Sequence, residues 1–372
     1  MPWRKKADTG PMVIDDPQLL DSAPSLAAVE RFVREVMPTV PGGRHLSTDH
    51  RGHRALIRDA AHDRGLISKV HGRTVDFYDG ALKVGGMKGW VPSLVTREAW
   101  VVCKFKDMTK QVLEAAGLPT PAGVSLDADQ IDEALAYLGA SRGPLVLKPT
   151  VGSGGDGITC GITTEHELRA AWDAAAISMS AEPKTTVPRL VLEDFIDGVD
   201  IRVFVVGDHV AAAATRINCH VVGDGRQSIA ELVDEKMEWR QRHGTLLNHD
   251  MEVDHGLLAR SGLTTQDVPA DDEVVVLNGR ANVHLGGEKV DVTDLMHPEL
   301  RQLAIDAVRA VPGLGVAGVD LFAPDVRSPD DVVVLELNVG ANLRIHNAPT
   351  YGYPRNPAVD MVDEMIATAK RA

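Results

Sequence analysis

Cysteine is scarce in this chain. Only Cys103, Cys160 and Cys219 occur, an odd number at wide spacing. That argues against a disulfide framework and against a cysteine-held zinc site. A reducing compartment fits, and a cytoplasmic location is expected. Long apolar runs are missing as well: none approaches the roughly 20 residues that span a bilayer. The N-terminus, MPWRKKADTGP, has basic residues but no apolar segment behind them, so no secretory leader is expected. Positive charge is also short. Thirty-nine Lys and Arg stand against 53 Asp and Glu, a net charge of −14. This balance disfavours nucleic acid or an anionic membrane as the main partner. It still allows an anionic small ligand in a locally basic pocket. Internal repeats and low-complexity segments are absent. What remains is 44% hydrophobic and 25% charged over 372 residues, enough chain for two or three subdomains.

The most informative stretch is 332–353, VVVLELNVGANLRIHNAPTYGY. Its Val-rich run, bounded by a Gly turn, reads as a buried strand ending at Asn338. Glu336 and Asn338 lie two apart, so on a strand both point to one face. A buried Glu is costly unless paired or metal-bound. A carboxylate beside an amide oxygen suits Mg²⁺, which takes hard oxygens together with phosphate. Asp320, in GVAGVDLFA, can supply a third oxygen from a neighbouring strand. Arg344 and His346 follow, again two apart, and then Arg355. The stretch reads as a cation site followed by an anion site. A strand with merely solvent-facing polar residues is the alternative.

Taken in order, residues 1–24 are polar and Pro-bearing, a poorly ordered lead. Residues 25–37 have helical apolar spacing. A small α/β region runs to about residue 100. Its His45, His50, His53 and His62 match no helical metal pair and are expected at the surface. A helix ends near Ala116, with Gly117 as its C-cap. PLVLK is a strand leading into Gly152-Ser153-Gly154-Gly155-Asp156-Gly157, after which ITCGI is again strand-like. Thr164 with Glu167, and Ser228 with Glu231, read as capping boxes. RLVLE is a strand, and a hairpin turns at Gly207-Asp208. The 240–272 stretch reads as a polar, irregular insertion. Pro298 opens one helix and Asn356-Pro357 the last.

The glycine loop lacks the Lys-Ser/Thr ending and following helix of a Walker A loop, and the helix a dinucleotide fingerprint needs. It is a glycine hairpin between strands, where backbone N–H groups can converge on phosphate. Lys148, at the end of the strand before it, can reach the same phosphates. Lys106 and Lys110 can add charge. Glu193 ends a strand at an expected domain crossover, and Asp200 seven residues on can accept from ribose hydroxyls. Each of these residues, taken singly, also fits an ordinary surface position.

In this order the motifs resemble those of the ATP-grasp carboxylate–amine ligases, most nearly the ATP-grasp region of cyanophycin synthetase and of the bifunctional glutathione synthetases. HVVGDGRQSIAELV, SGLTTQDVP, VDVTDLMHPEL, AGVDLF and LELNVGANLRIHNAPTYGYPRN carry the likeness, over roughly residues 100 to 360. The resemblance implies an α/β (α+β) ATP-grasp fold, with an N-terminal pre-grasp domain (1–100), a central lobe (101–193) and a C-terminal lobe (194–372). ATP is expected between the last two, with two Mg²⁺ ions, Mn²⁺ being an acceptable substitute. Lys106 and Lys148 would bind phosphate with the loop glycines Gly152, Gly154, Gly155, Gly157 and with Ser153. Glu193, Asp194, Phe195 and Ile196 would form the adenine hinge, and Asp200 would hold the ribose. Asp320, Glu336 and Asn338 would hold the metal. Arg344, His346, Arg202 and Arg216 would serve the reacting groups. The expected activity is amide formation from a carboxylate and an amine through an acylphosphate, on amino acids or short peptides. A non-catalytic ATP-binding scaffold is the alternative. A homo-oligomer is compatible with the sequence. Where the family usually has Pro-Gly before Leu-Arg-Met-His, this chain has Ala341-Asn342, with Asn expected in a left-handed turn. The motifs end near the end of the chain, so a stand-alone ligase is expected.

Overall fold

The computed structural model describes residues 26–152, 157–180 and 189–371. The polar lead, Ser153, Gly154, Gly155 and Asp156 of the glycine loop, and the 181–188 connection lie outside the described residues. Two compact units are found: Pro121–Phe195, and Ser25–Thr120 together with Ile196–Ala372. The second takes in residues on both sides of the expected boundary near 100. The division after Phe195 falls beside the one expected at 193.

The larger unit begins with α1 (Ala27–Arg31), which widens into a π-turn over Phe32–Val36 and tightens into a 3₁₀ turn over Met37–Thr39. The expected apolar stripe is present, since Val29, Phe32, Val33 and Val36 are buried in the main core. The helix is not uniform. Adjacent apolar pairs at 32–33 and 36–37 all face inward, and Pro38 removes a backbone donor. Next come α2 (His53–Asp63) and an antiparallel meander of β1 (Ile67–His71), β2 (Thr74–Asp79), β3 (Leu82–Lys88) and β4 (Val91–Pro92). Two helices follow, α3 (Arg97–Lys104) and α4 (Lys106–Ala115). Gly117 caps α4 at φ 73°, in the left-handed region.

His53 corrects the expectation of four surface histidines. It is 3% exposed and stacks on Trp90 at 4.6 Å. Burial pushes its imidazole down to about 4. It starts the buried stripe of α2, with Leu56, Ile57 and Ala60 at helical spacing.

The smaller unit contains β5 (Gly123–Asp127), α5 (Ile131–Ala140), β6 (Leu145–Pro149), β7 (Thr159–Ile162), α6 (Glu165–Ser180) and β8 (Arg189–Asp194). Its sheet runs β5-β8-β6-β7, antiparallel throughout. Leu145, Leu147, Leu190 and Leu192 alternate inward to meet Leu168 and Ala171 of α6. The Thr164–Glu167 capping box opens α6. Glu167 N–H donates to Thr164 Oγ1 at 3.2 Å, and Thr164 N–H donates to Glu167 Oε2 at 2.9 Å.

The larger unit resumes with β9 (Val199–Val206), β10 (His209–Ile217), β11 (His220–Val222), α7 (Ile229–Arg240), α8 (His255–Arg260), β12 (Val274–Val276) and β13 (Glu288–Asp291). It closes with α9 (Pro298–Arg309), β14 (Val316–Ala323), β15 (Val333–Asn338), α10 (Arg344–Asn347) and α11 (Pro357–Arg371). The central sheet has the order β13-β10-β9-β14-β15, every pair antiparallel. Period-two alternation sorts β9 into two characters. Ile201, Val203 and Val205 face the main core with Val319, Leu321 and residues of α9. On the other face Phe204 and Val206 pack with Met361 and Val362 of α11, while Asp200 and Arg202 continue the same face as a polar surface.

Candidate active site

The register of the central sheet lines up a row of charge. Asp320 lies opposite Glu336 on β15 and Arg202 on β9. Asp200 lies opposite Arg216 on β10, and Arg216 opposite Lys289 on β13. Residues directly opposite share a face. Strands distant in sequence therefore bring Asn338, Glu336, Asp320, Arg202, Asp200, Arg216 and Lys289 onto one side.

At the β15 end, Asn338 Nδ2 donates to Glu336 Oε1 at 2.9 Å and to Asp320 Oδ2 at 3.3 Å. The expected common face of Glu336 and Asn338 is thus observed, and Asp320 joins it. Lys106, the first residue of α4, brings Nζ to 3.7 Å from Glu336 Oε2. Lys110 engages Thr120 at 3.2 Å and Glu114 at 3.4 Å. Turning the Asn338 amide over would set three oxygens around one point. That donor set fits Mg²⁺, which binds through one or two carboxylates plus substrate phosphate.

The middle of the row is an ion network. Arg202 grips Asp320 with two N–H groups, Nη2 donating to Oδ2 at 2.9 Å. Arg216 Nη2 donates to Asp200 Oδ1 at 2.7 Å and to Asp320 Oδ2 at 2.9 Å. The two acids share these cations unequally. Burial works against the Asp320 charge, but Arg202 and Arg216 outweigh it and hold the carboxyl well below its usual range. Burial pushes Asp200 up to about 6; Arg216 opposes the rise and the Asp320 charge adds to it. Gly318 leaves room for the network. A Cβ there would come within 2.8 Å of Arg202 Cδ and 2.6 Å of Ala341 Cβ.

Beyond the row, Arg344 and His346 sit on α10. Two apart on a helix, they do not share a face, unlike the strand pair Glu336 and Asn338. Asn342 is not left-handed, since Asp272 and Asp331 are the non-glycine residues with positive φ among those described. Instead its Oδ1 accepts from Arg344 N–H at 3.1 Å and starts the short helix. His346 is 1% exposed, with its ring edge-on to Phe204 at 5.8 Å. Burial, reinforced by Arg202 and Arg216, pushes it down to about 3, so the imidazole is neutral near neutral pH. Neither ring nitrogen has a hydrogen-bond partner among the described residues, nor has Arg344 Nε.

In the smaller unit, Lys148 and Glu193 form a buried ion pair, 7% and 4% exposed. Val146 lies opposite Glu193, so Lys148, two residues on, points to the same face. Residues with separate expected roles are one pair here. The loop between β6 and β7 joins antiparallel strands, as expected. Gly157, at φ 72°, has no room for a Cβ beside Pro149 and Ser178. Asp194 N–H donates to Ala122 O at 2.8 Å and Phe195 N–H to Pro144 O at 2.9 Å. Phe195 ends the smaller unit and Ile196 begins the next segment of the larger one, within the expected hinge.

Sequence reasoning missed Lys289. It is 3% exposed, and its Nζ donates to Thr245 Oγ1 at 2.5 Å and to Arg344 O at 3.5 Å. The alternation in EKVD puts it on one face with Asp291, a signal the sequence carried. Arg240 was missed too. It is fully buried and donates to the carbonyls of Gly286 at 2.9 Å and Gly287 at 3.1 Å, fixing the turn into β13.

A family model described as an ATP-grasp domain matches residues 103–340. The chain belongs to the ATP-grasp family. This ATP-grasp chain is 37% identical over 272 residues to the cyanophycin synthetase of Trichormus variabilis, covering 70% of this chain and 29% of that protein. It is 30% identical over 273 residues to the bifunctional glutathione biosynthesis protein of Mannheimia succiniciproducens, covering 70% and 35%. The chain therefore spans about a third or less of those relatives' length. Among solved structures, the bifunctional glutathione synthetase from Pasteurella multocida superposes with a TM-score of 0.60 at 25% identity, over 84% of this chain and 43% of that one. The ATP-grasp fold expected from the motifs is thereby established. Among the described residues no helix is long and apolar enough to cross a membrane.

Proposed function

We propose that the chain is an ATP-dependent ligase joining the carboxylate of an amino acid or peptide to an amine. The observation that carries this reading is the oxygen cluster of Asp320, Glu336 and Asn338, with Lys106 beside it and two arginines behind it. Bound Mg²⁺, held by those three side chains, would neutralise triphosphate charge. Lys106 adds positive charge at the same edge. Lys148 and the glycine hairpin contribute phosphate contacts, Glu193 to Ile196 the adenine contacts, and Asp200 a ribose acceptor. The substrate carboxylate attacks the γ-phosphorus, releasing ADP and leaving an acylphosphate. The amine then attacks the acyl carbon and phosphate departs. No nucleophilic side chain is needed, since positioning and charge stabilisation supply the rate. Arg202 and Arg216 keep Asp320 ionised and anchored. Arg344 clamps a substrate carboxylate beside the reacting groups, and the neutral His346 serves the same reacting groups from the other face of the short helix. The substrates are small molecules, the setting cytoplasmic.

Retention of all three oxygen ligands favours a working enzyme over an ATP-binding scaffold. The test is an ADP-release screen over amino-acid pairs with mass spectrometry of the products. A product weighing the sum of both substrates less water supports ligation. Phosphorylated substrate alone would make the chain a kinase. ATP binding with no turnover on any pair would make it a scaffold.

A further inference from the structure

The row is electrically lopsided. At the β15 end, carboxylates and cations are interleaved. At the β13 end, Lys289 and Arg344 form no ion pair among the described residues, although Lys289 is nearly fully buried. Asp49 feels the Arg344 charge only weakly, and its carboxylate is already gripped by Arg51 at 2.8 Å. A buried ammonium beside a half-buried guanidinium, with no counter-charge, is costly. Burial, then the charges of Arg344 and Arg240, push the Lys289 ammonium down to about 7. An ammonium has three N–H donors; Thr245 Oγ1 and Arg344 O take two. Arg344 Nε and both nitrogens of His346, all inaccessible to solvent, have no hydrogen-bond partner among the described residues. Thr245 and Arg344 are themselves only partly buried, so the cluster reaches solvent through them.

We infer that Lys289 is a specificity-determining residue: with Arg344 it holds a carboxylate of the substrate that the reaction does not consume. The inference deepens the ligase reading and rests on it. A substrate with such a carboxylate supplies the missing counter-charge and accepts from the unused donors. The same group masked as a carboxamide supplies no charge and brings two donors of its own against a cationic cluster. The carboxylate can belong to the amine acceptor or to an acyl donor carrying a second acid group.

The test uses the full chain with ATP and Mg²⁺, a panel of the common amino acids, and their carboxamides made separately on the acceptor and the donor. ADP release gives KM and kcat, and melting shifts in a non-hydrolysable ATP analogue report binding alone. In the wild type, masking the held carboxylate should raise KM roughly 10–100-fold, the worth of a charged hydrogen bond. The partner whose carboxamide fails identifies the source. Lys289→Met should raise KM for the acid by a similar factor with kcat little changed, bringing acid and amide close to parity. Lys289→Arg should restore discrimination if the role is electrostatic. The inference is overturned if Lys289→Met keeps the wild-type acid-to-amide ratio. It is also overturned if the wild type treats acid and amide alike, or if no acid shifts melting or drives turnover. If acids shift melting in a Lys289-dependent way but ADP is never released, the ligase reading fails and the carboxylate site stands.

Discussion

The two ends of the charged row solve opposite problems. At the β14–β15 edge the carboxylates of Asp320 and Glu336 lie side by side, and Arg202, Arg216 and Lys106 relieve their repulsion. At the β13 edge Lys289 and Arg344 lie together and form no ion pair with an acid among the described residues. The first arrangement is stable as it stands and attracts cations. The second becomes stable when an anion arrives. One antiparallel sheet thereby carries a metal-type edge and an anion-type edge on the same face, with Arg216 as the hinge between them.

The largest effect is expected from Glu336→Gln. Removing this charge at the cation edge should lower kcat roughly 10³-fold, through lost charge stabilisation of phosphoryl transfer. Thermal melting should hold, because Glu336 is partly exposed. Near-normal kcat in the folded variant would remove the metal edge. Asp320→Asn makes the contrast sharper. It strips two arginines of their buried acid and should cost about 3–5 kcal/mol in urea denaturation. A loss under 1 kcal/mol would mean the network relaxes at little cost.

At the other edge, Arg344→Ala should raise KM for the amino-acid substrate about 10²-fold while ATP binding stays intact, as loss of a ground-state clamp does. A fall in kcat at constant KM would move Arg344 from clamp to transition-state contact. The smallest effect is pH-dependent. His346 and His220 are neutral in the fold, held at about 3 and about 4 against an ordinary 6.5, burial being the main cause in both. The unfolded chain therefore takes up protons that the folded one refuses, and stability falls as pH drops below about 6.5. At pH 5 each ring should cost roughly 2 kcal/mol. His346→Phe should flatten part of that slope in melts between pH 7 and 5, and an unchanged slope would refute the assignment.

Much of the cation edge was legible beforehand. Glu336 and Asn338 needed only strand periodicity, and Asp320 only a neighbouring strand of the same kind. The capping boxes at Thr164 and Ser228 were legible because both partners lie within one turn. The anion edge was harder. Lys289 gains its meaning from Thr245 and Arg344, 44 and 55 residues away, contacts that no local pattern encodes. His53 looked like polar surface because residue type suggested it, and His346 was placed by its motif with no sign of how deeply it is buried. Their burial is set by the faces of α2 and α10. Arg240 sits at the start of what looked like an irregular insertion, yet it is fully buried by carbonyls of a turn about 46 residues on.

The pairing of Arg202 with Asp320 also constrains the order in which the molecule is made. The hairpin of β9 and β10 closes locally, and with it the Asp200–Arg216 pair, 16 residues apart. Asp320 emerges from the ribosome 118 residues after Arg202. Until it arrives, sealing Arg202 under neighbouring strands would bury a lone guanidinium, so this part of the hairpin must stay wet. Nascent chains stalled before β14 should therefore hold a protease-sensitive β9–β10 ribbon, and those stalled past β15 a resistant one. Synthesis itself delays completion of the charged row until the strands that carry its acids are in place.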